Sequence, residues 1–463
     1  MISTEPETPE VPAAEAIATE GLFARLRNDA AIQAVTANAV WLVADRIIGL
    51  AASVVVTVMV VRYLGPANYG LLTYALALVG ILAPFVQLGL DSIAVRDLVS
   101  EPESSAEIMG TAFVLMLVSA VILLPAAIGA SVLFGHGDPR KYTIVGVLAV
   151  QYLFQALSII DYWFRSGVRS KFVVWSSKAG LLANALLALV LIQQHSGTGM
   201  FALPTVLEAF VTACGLLFFY QRMGQHVRTW TFNTRRALTL LRDGAPFLVG
   251  SVFGAISMRA GFLIMEKIGA RNVGLYGAAV RLSELWYFVP MALVISIFPM
   301  IVHSRKNLSP ENYDRRVQAL YDVVAIIGYG VALPTTLIAR SLMPLIFGGA
   351  YAAAGPLLAI YIWTFLLVAL GMVRSTWLVA EGLGKYFVIA AAGGAVLNTG
   401  LTYLLIPRLG AAGAAWAAIA GHLWVVLFSS LVARSLWRSF RHVALALLVP
   451  IRWRAIAELR SLR

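Results

Sequence analysis

Five cations lie deep within long apolar runs of this chain: Arg46, Lys178, Arg259, Arg281 and Arg374. Asp45, Glu208 and Glu284 lie at comparable depth. A charge in such a run is costly and normally faces protein or a water-filled cavity. Arginine is the informative type, because its planar fork stays charged at every relevant pH and grips phosphate oxygens in pairs. Such a set could hold an anion that would otherwise be stranded in a low dielectric. The carboxylates are candidate coupling groups for a proton or a sodium ion, since burial moves carboxyl titration toward neutrality.

Plainer readings stand beside these. Arg281 and Glu284 are spaced for an ion pair within one helix. The other cations could bind carbonyls or acids of neighbouring helices, and Asp45 reads slightly better as a salt-bridge partner. In the first apolar run Arg46, Gly49, Ser53 and Thr57 fall within a helical arc of roughly 80°, the small, polar face of a cavity wall. Arg46 would sit about 12 Å in from the start of that helix, too deep for an interfacial anchor. Gly274, Gly277, Arg281 and Glu284 share a face further on.

The elements that must carry these residues follow from composition. Of 463 residues, 60% are hydrophobic and 13% charged, whereas soluble domains run near 25% charged. Such a chain needs lipid as its outer solvent. Between residues 38 and 433 it holds about twelve runs, each about 20 residues long and able to cross a bilayer. Helices are expected, because beta-barrel alternation is absent. Pro84, Pro125, Pro204, Pro290 and Pro334 fall within runs, where they would kink helices.

Charge placement sets the orientation. With the N-terminus inside, most lysines and arginines of the short connections fall on the cytoplasmic side, which places both termini there. The same bias accounts for the net charge of +12 without nucleic acid. Cys214 is the single cysteine, so no intramolecular disulfide or cysteine-built metal centre is expected. No phosphate-binding Gly-rich loop ending in Lys-Ser/Thr occurs, so an ion gradient, proton or sodium, is the expected energy source and no cofactor is expected.

The chain repeats itself. Gly65, Asn68, Gly70 and Leu71 recur as Gly269, Asn272, Gly274 and Leu275 at one constant offset. At a second offset, Trp163, Lys171, Asn184 and Gly199 recur as Trp377, Lys385, Asn398 and Gly413. A parallel repeat places a substrate cavity between two lobes that rock against each other. The repeated motif reads as a tight hairpin, with both glycines relaxing backbone angles and Asn68 in the left-handed region or capping the next helix.

The expected fold is therefore an all-α integral membrane protein of about twelve transmembrane helices in two parallel six-helix lobes. Residues 1–35 form an N-terminal cytoplasmic segment, acidic and disordered at its start. Residues 36–222 form the N-lobe, 223–243 a basic cytoplasmic linker and 244–434 the C-lobe. Residues 435–463 form a basic amphipathic cytoplasmic tail, lying on the inner leaflet or partly disordered.

The run Val61-Arg-Tyr-Leu-Gly-Pro-Ala-Asn-Tyr-Gly-Leu71, continuing through Gln87-Leu-Gly-Leu-Asp91 to Arg96, resembles the opening of bacterial Wzx-type polysaccharide flippases. These belong to the multidrug/oligosaccharidyl-lipid/polysaccharide exporter superfamily, and the resemblance implies a MATE-like architecture over roughly residues 35 to 435. It implies a non-enzymatic carrier in the bacterial cytoplasmic membrane. The cargo would be undecaprenyl-pyrophosphate-linked oligosaccharide, moved from inner to outer leaflet by ion-coupled alternating access, for O-antigen, capsule or exopolysaccharide synthesis. Membrane lipids and a polysaccharide polymerase machinery are the implied partners. On that reading Arg46 and Arg374 receive the pyrophosphate from the cytoplasmic side, Arg259 and Arg281 hold it in the outward-facing state, and Lys178 is a further contact. The main rival is a multidrug or cation antiporter of the same superfamily. A membrane glycan polymerase or ligase fits less well, because the outer connections are short.

Overall fold

The computed structural model describes residues 30–135, 137–167, 169–294, 305 and 309–452, with side chains from Ser53 onward except that of Lys385. It groups the chain into two compact units, Met1–Val55 and Val56–Arg463. The described part of the first is the opening of a helix. The second carries the remainder of that helix and all the later ones.

The helices are α1 (Ala30–Gln87), α2 (Leu90–Ser100), α3 (Ser105–Phe134), α4 (Pro139–Ala149), α5 (Gln151–Gln155), α6 (Ile159–Ser166), α7 (Lys171–Gln193) and α8 (Leu203–Arg222) in the N-lobe. The C-lobe has α9 (Thr234–Met265), α10 (Ala270–Glu284), α11 (Pro310–Phe347), α12 (Gly355–Tyr361), α13 (Trp363–Ala380), α14 (Lys385–Leu409) and α15 (Ala411–Val426), followed by α16 (Trp437–Leu447). Among the described residues no strand occurs. Nine helices there are long and apolar enough to cross a membrane, and α15 is a shorter apolar one. The lipid-facing surface is written in exposed aliphatic side chains such as Ile122, Leu133, Leu337 and Leu404, which only an apolar solvent tolerates in such number.

Local chemistry explains the boundaries. Asp138 and Asn233 accept backbone N–H bonds at the starts of α4 and α9, the usual remedy for orphan donors at a helix N-terminus. Pro125 and Pro334 lie inside α3 and α11 as expected. Pro204 instead stands in the first turn of α8, where its missing N–H costs nothing and its fixed φ fits, so it starts a helix rather than bending one.

The repeated motif is two structures in one. Gly65 (φ 68°, ψ 171°) and Gly269 (φ 99°, ψ 150°) make the same turn, in a region that side chains resist. The turn kinks α1 internally in one case and joins α9 to α10 in the other. Gly70 and Gly274 are helical and do not turn. A Cβ on Gly70 would lie 1.8 Å from the Ala270 carbonyl oxygen, and one on Gly274 would lie 1.9 Å from that of Pro66. The two copies of the motif therefore cross each other backbone to backbone. Asn68 and Asn272 also differ from expectation: each donates to a carbonyl four residues back, Leu64 O at 3.2 Å and Ile268 O at 2.6 Å. Those carbonyls immediately precede the glycine turn, which explains why they need a side-chain donor.

We name the end of the bundle bearing the Gly65 and Gly269 turns the hairpin end, and the opposite one, where α8 passes to α9, the linker end. The largest apolar core joins both lobes at the hairpin end, through residues such as Tyr74, Leu148, Met265, Val280 and Tyr351. Separate cores fill the linker ends of the N-lobe and the C-lobe.

Helix α16 belongs to the C-lobe core. Val443 and Ala446 are buried in it, the Tyr329 hydroxyl donates to Leu447 O at 2.7 Å, and Arg438 pairs with Asp314. One face of the tail thus rests on α11; residues 453–463 lie outside the described chain. His442 is buried there, 2.7 Å from Gln318 Oε1 and 3.5 Å from Asp314. Burial pushes its imidazole below the ordinary histidine range, with Asp314 pulling the other way and Arg438 and Arg441 adding to the depression. The docked helix therefore prefers neutral His442. That preference holds above about pH 6.5, the ordinary histidine value, and fades as acid protonates the undocked form. Hydrogen exchange corrected for intrinsic rates should show protection of 437–447 falling below that pH, and His442→Gln should flatten the profile.

Candidate functional site

Arg259, on α9, lies across Gly80 of α1, where an added Cβ would come within 2.2 Å of its Nε. The missing side chain at Gly80 is what lets a C-lobe arginine reach the N-lobe. Asn398 of α14 fixes this stretch of α9 by donating to Ser257 O at 2.7 Å. On α10, Arg281 is exposed and Glu284 half-buried, and Glu284 feels the charges of both Arg281 and Arg259. From the N-lobe, Glu208 of α8 also feels Arg281, and Asn184 of α7 holds it with a 2.7 Å bond. Arg259, Arg281, Glu284 and Glu208 are therefore neighbours contributed by both lobes.

No described residue takes up the heads of Arg259, Arg281 and Glu284. Among the described residues they make no hydrogen bond and no ion pair within 4.0 Å, so the ion pair that their spacing on α10 allows is not formed. Arginines with uncommitted donors inside an apolar bundle are poised for a ligand or water.

Tyrosines complete the site, and the sequence reading missed them. Tyr69, Tyr276, Tyr287 and Tyr361 all lie within electrostatic range of Glu284. Tyr276 and Tyr361 meet edge to face at 5.6 Å and 87°. Tyr69 stands in the repeated motif itself, one residue before Gly70, so proximity to that crossing was the available signal. Aromatic rings with polar tips suit a sugar-bearing ligand as well as an organic cation.

The remaining candidates go elsewhere. Arg374 is 2% exposed, and each guanidinium nitrogen donates to protein: Nε to Ser439 Oγ at 3.2 Å, one terminal nitrogen to Val425 O at 2.9 Å, the other to Ser430 Oγ at 3.3 Å. It ties α13 to the end of α15 and to α16, which corrects the expectation that it faces a headgroup here. The cause is the tail, whose docking on the C-lobe brings Ser439 over Arg374. Lys178 is half-buried on α7 and has a partner of its own. Ser53 and Thr57 are half-buried on α1. Arg46, Gly49 and Asp45 lie outside the residues whose side chains are described.

The model of a family described as polysaccharide biosynthesis protein matches residues 35–304. A search of curated protein sequences found no match. Among solved structures, the lipid II flippase MurJ in an inward closed conformation superposes with a TM-score of 0.66 at 13% identity, over 91% of this chain and 96% of that one. An inward-facing MATE family multidrug resistance transporter of the MOP superfamily gives 0.64 at 16%, over 89% and 96%. A MOP superfamily transporter from Pyrococcus furiosus, described as having a binding pocket of reversed polarity, gives 0.60 at 16%, over 89% and 94%. At such identities the likeness carries the fold, which is that of MOP superfamily transporters and flippases.

Proposed function

Since the chain belongs to the polysaccharide biosynthesis protein family, we propose that it is a flippase for undecaprenyl-pyrophosphate-linked oligosaccharide. It would carry this lipid from the inner to the outer leaflet of the bacterial cytoplasmic membrane, for O-antigen, capsule or exopolysaccharide synthesis. The observation that carries the reading is the pair of uncommitted arginines, Arg259 and Arg281, held between the lobes of a multi-pass membrane protein. A pyrophosphate crossing the bilayer needs permanent cations on its route, and two planar forks meet its oxygens better than two ammonium groups. The neighbouring tyrosines would face the glycan.

Coupling has a physical basis at the same place. At rest two carboxylates, Glu284 and Glu208, oppose the two arginines. Protonating either carboxylate, or covering it with sodium, would leave the guanidiniums free for an anion. An ion gradient, proton or sodium, then changes the affinity of the site for its cargo. With the termini and the linker on the cytoplasmic side, the linker end faces the cytoplasm and the hairpin end faces outward.

The acids and tyrosines also give the cation antiporter its specific support, because they are the groups an organic cation would choose. Mass spectrometry of polyprenyl-linked glycans in cells lacking the protein separates the two. Accumulation of a complete pyrophosphate-linked repeat unit, with loss of surface polymer, is the expected result. An unchanged lipid pool with new sensitivity to cationic toxins would replace the flippase reading with the antiporter.

A further inference from the structure

Away from the central site, one charged pair joins the lobes in the dry interior. Lys141 of α4 in the N-lobe reaches Glu266, just past the end of α9 in the C-lobe, with Nζ 2.5 Å from Oε1. Their side chains are 5% and 6% exposed, so this pair is screened from water on both sides. Lys141 also donates to Gly135 O at 3.0 Å, the last turn of α3, and lies over the Tyr74 ring at 5.4 Å. Both residues stand at the hairpin end, Glu266 three positions before the Gly269 turn.

The rest of that end is closed by weaker contacts of the same direction, from one lobe to the other. Arg62 of α1 donates to Ile346 O at 2.6 Å and Leu345 O at 2.5 Å, at the end of α11. The Tyr351 hydroxyl donates to Val61 O at 3.0 Å. These use backbone carbonyls, which any slight re-registration can replace. The Lys141–Glu266 pair cannot be replaced so easily, because each partner left alone would be a charge in an apolar interior.

We propose that Lys141 and Glu266 are positioning residues of the transport cycle, forming a charge latch that lets the hairpin end close only in the register where both partners meet. The inference rests on the alternating-access reading but not on the identity of the cargo. A buried ion pair suits a reversible latch. Its Coulombic gain is largely cancelled by desolvation, so the intact pair does not overcommit the protein to the closed state. Removing one partner is different, since the survivor is then buried without compensation and the closed state alone bears that cost. The latch thus selects register while it is whole, and drives the lobes apart when it is halved.

The asymmetry sets the experiment. In full-length protein with Cys214 replaced by serine, spin labels at Thr143 and Arg408, exposed positions of the two lobes near this end, report the lobe separation in nanodiscs without substrate. Wild type should give the short distance. Glu266→Gln, which keeps the side-chain shape, and Lys141→Met should each move the open-to-closed ratio by more than about tenfold toward the long distance. The double variant Lys141→Met/Glu266→Gln should return to the short one, because no unpaired charge remains. A contact that merely supported the fold would lower the melting temperature of the single variants and leave the lobe distance unchanged. Single variants that keep the wild-type distance, or a double variant no more closed than the singles, would overturn the latch. The flippase reading fails separately: distances shift as expected, yet reconstituted wild type moves no lipid-linked oligosaccharide.

Discussion

Arg259→Ala is expected to lower the movement of lipid-linked oligosaccharide by roughly thirtyfold or more at normal expression, and Arg281→Ala by a similar factor. Each loses charge-assisted bonds to the cargo, of about 2 kcal/mol, in a site where water does not fully replace them. Arg259→Lys should recover little. A lysine keeps the charge but loses the fork, and it is the guanidinium end of Arg259, its Cδ, Nε and Cζ, that lies against Gly80 of the opposite lobe. Arg374→Ala is the internal contrast. Its guanidinium serves Ser439, Ser430 and the Val425 carbonyl, so its loss strands those acceptors and empties a buried volume. The expected result is a lower melting temperature in detergent and a loosened α16. Flipping in reconstituted vesicles, measured beside melting curves, separates the two kinds of effect. Full activity in both Arg259→Ala and Arg281→Ala would remove the proposed headgroup site.

The second large effect is expected at the crossing of the repeated motifs. Gly→Ala in a helix ordinarily stabilises by about 1 kcal/mol, through the lower entropy of the unfolded chain. At Gly70 and Gly274 the sign should reverse. The new methyl would sit 1.8 or 1.9 Å from a backbone carbonyl oxygen of the other lobe, and backbone cannot rotate aside as a side chain can. The helices must separate, which costs on the order of 3 kcal/mol by analogy with overpacked cores. Gly70→Val and Gly274→Val should go further and prevent the hairpin end from closing at all. Gly254→Ala on α9, where a Cβ would meet nothing within 4 Å, is the control and should be neutral or stabilising. Melting curves of the purified variants decide this. Equal behaviour of Gly70→Ala and Gly254→Ala would mean that the close crossing does not hold the lobes together.

Much of the architecture was legible because it rests on local properties. A bilayer span needs only a run of apolar residues, so composition and run length gave an all-helical membrane protein, with nine helices among the described residues long and apolar enough to cross a bilayer and boundary shifts such as Pro204. A repeat is self-evident once the same residues recur in order, and Gly65 with Gly269 could be anticipated as turns from residue type alone. That Arg259, Arg281, Glu208 and Glu284 stand within apolar runs was likewise readable from the chain alone.

What the sequence could not supply is which of these residues meet. Arg374 and Arg259 look alike in their apolar runs, yet one is consumed by Ser439 from a tail that helix periodicity did not place, and the other stays available. Nothing periodic links Lys141 to Glu266, 125 positions apart; only the packing of one lobe on the other buries them together. Gly70 looked like a second turn glycine until its helical partner Gly274 lay against it. By itself the sequence determined the solvent, the apolar runs, the repeat and which charges stand within those runs, because these depend on neighbours along the chain. The tertiary structure decided which charges are spent on the scaffold and which remain for a ligand, because pairing depends on neighbours across it.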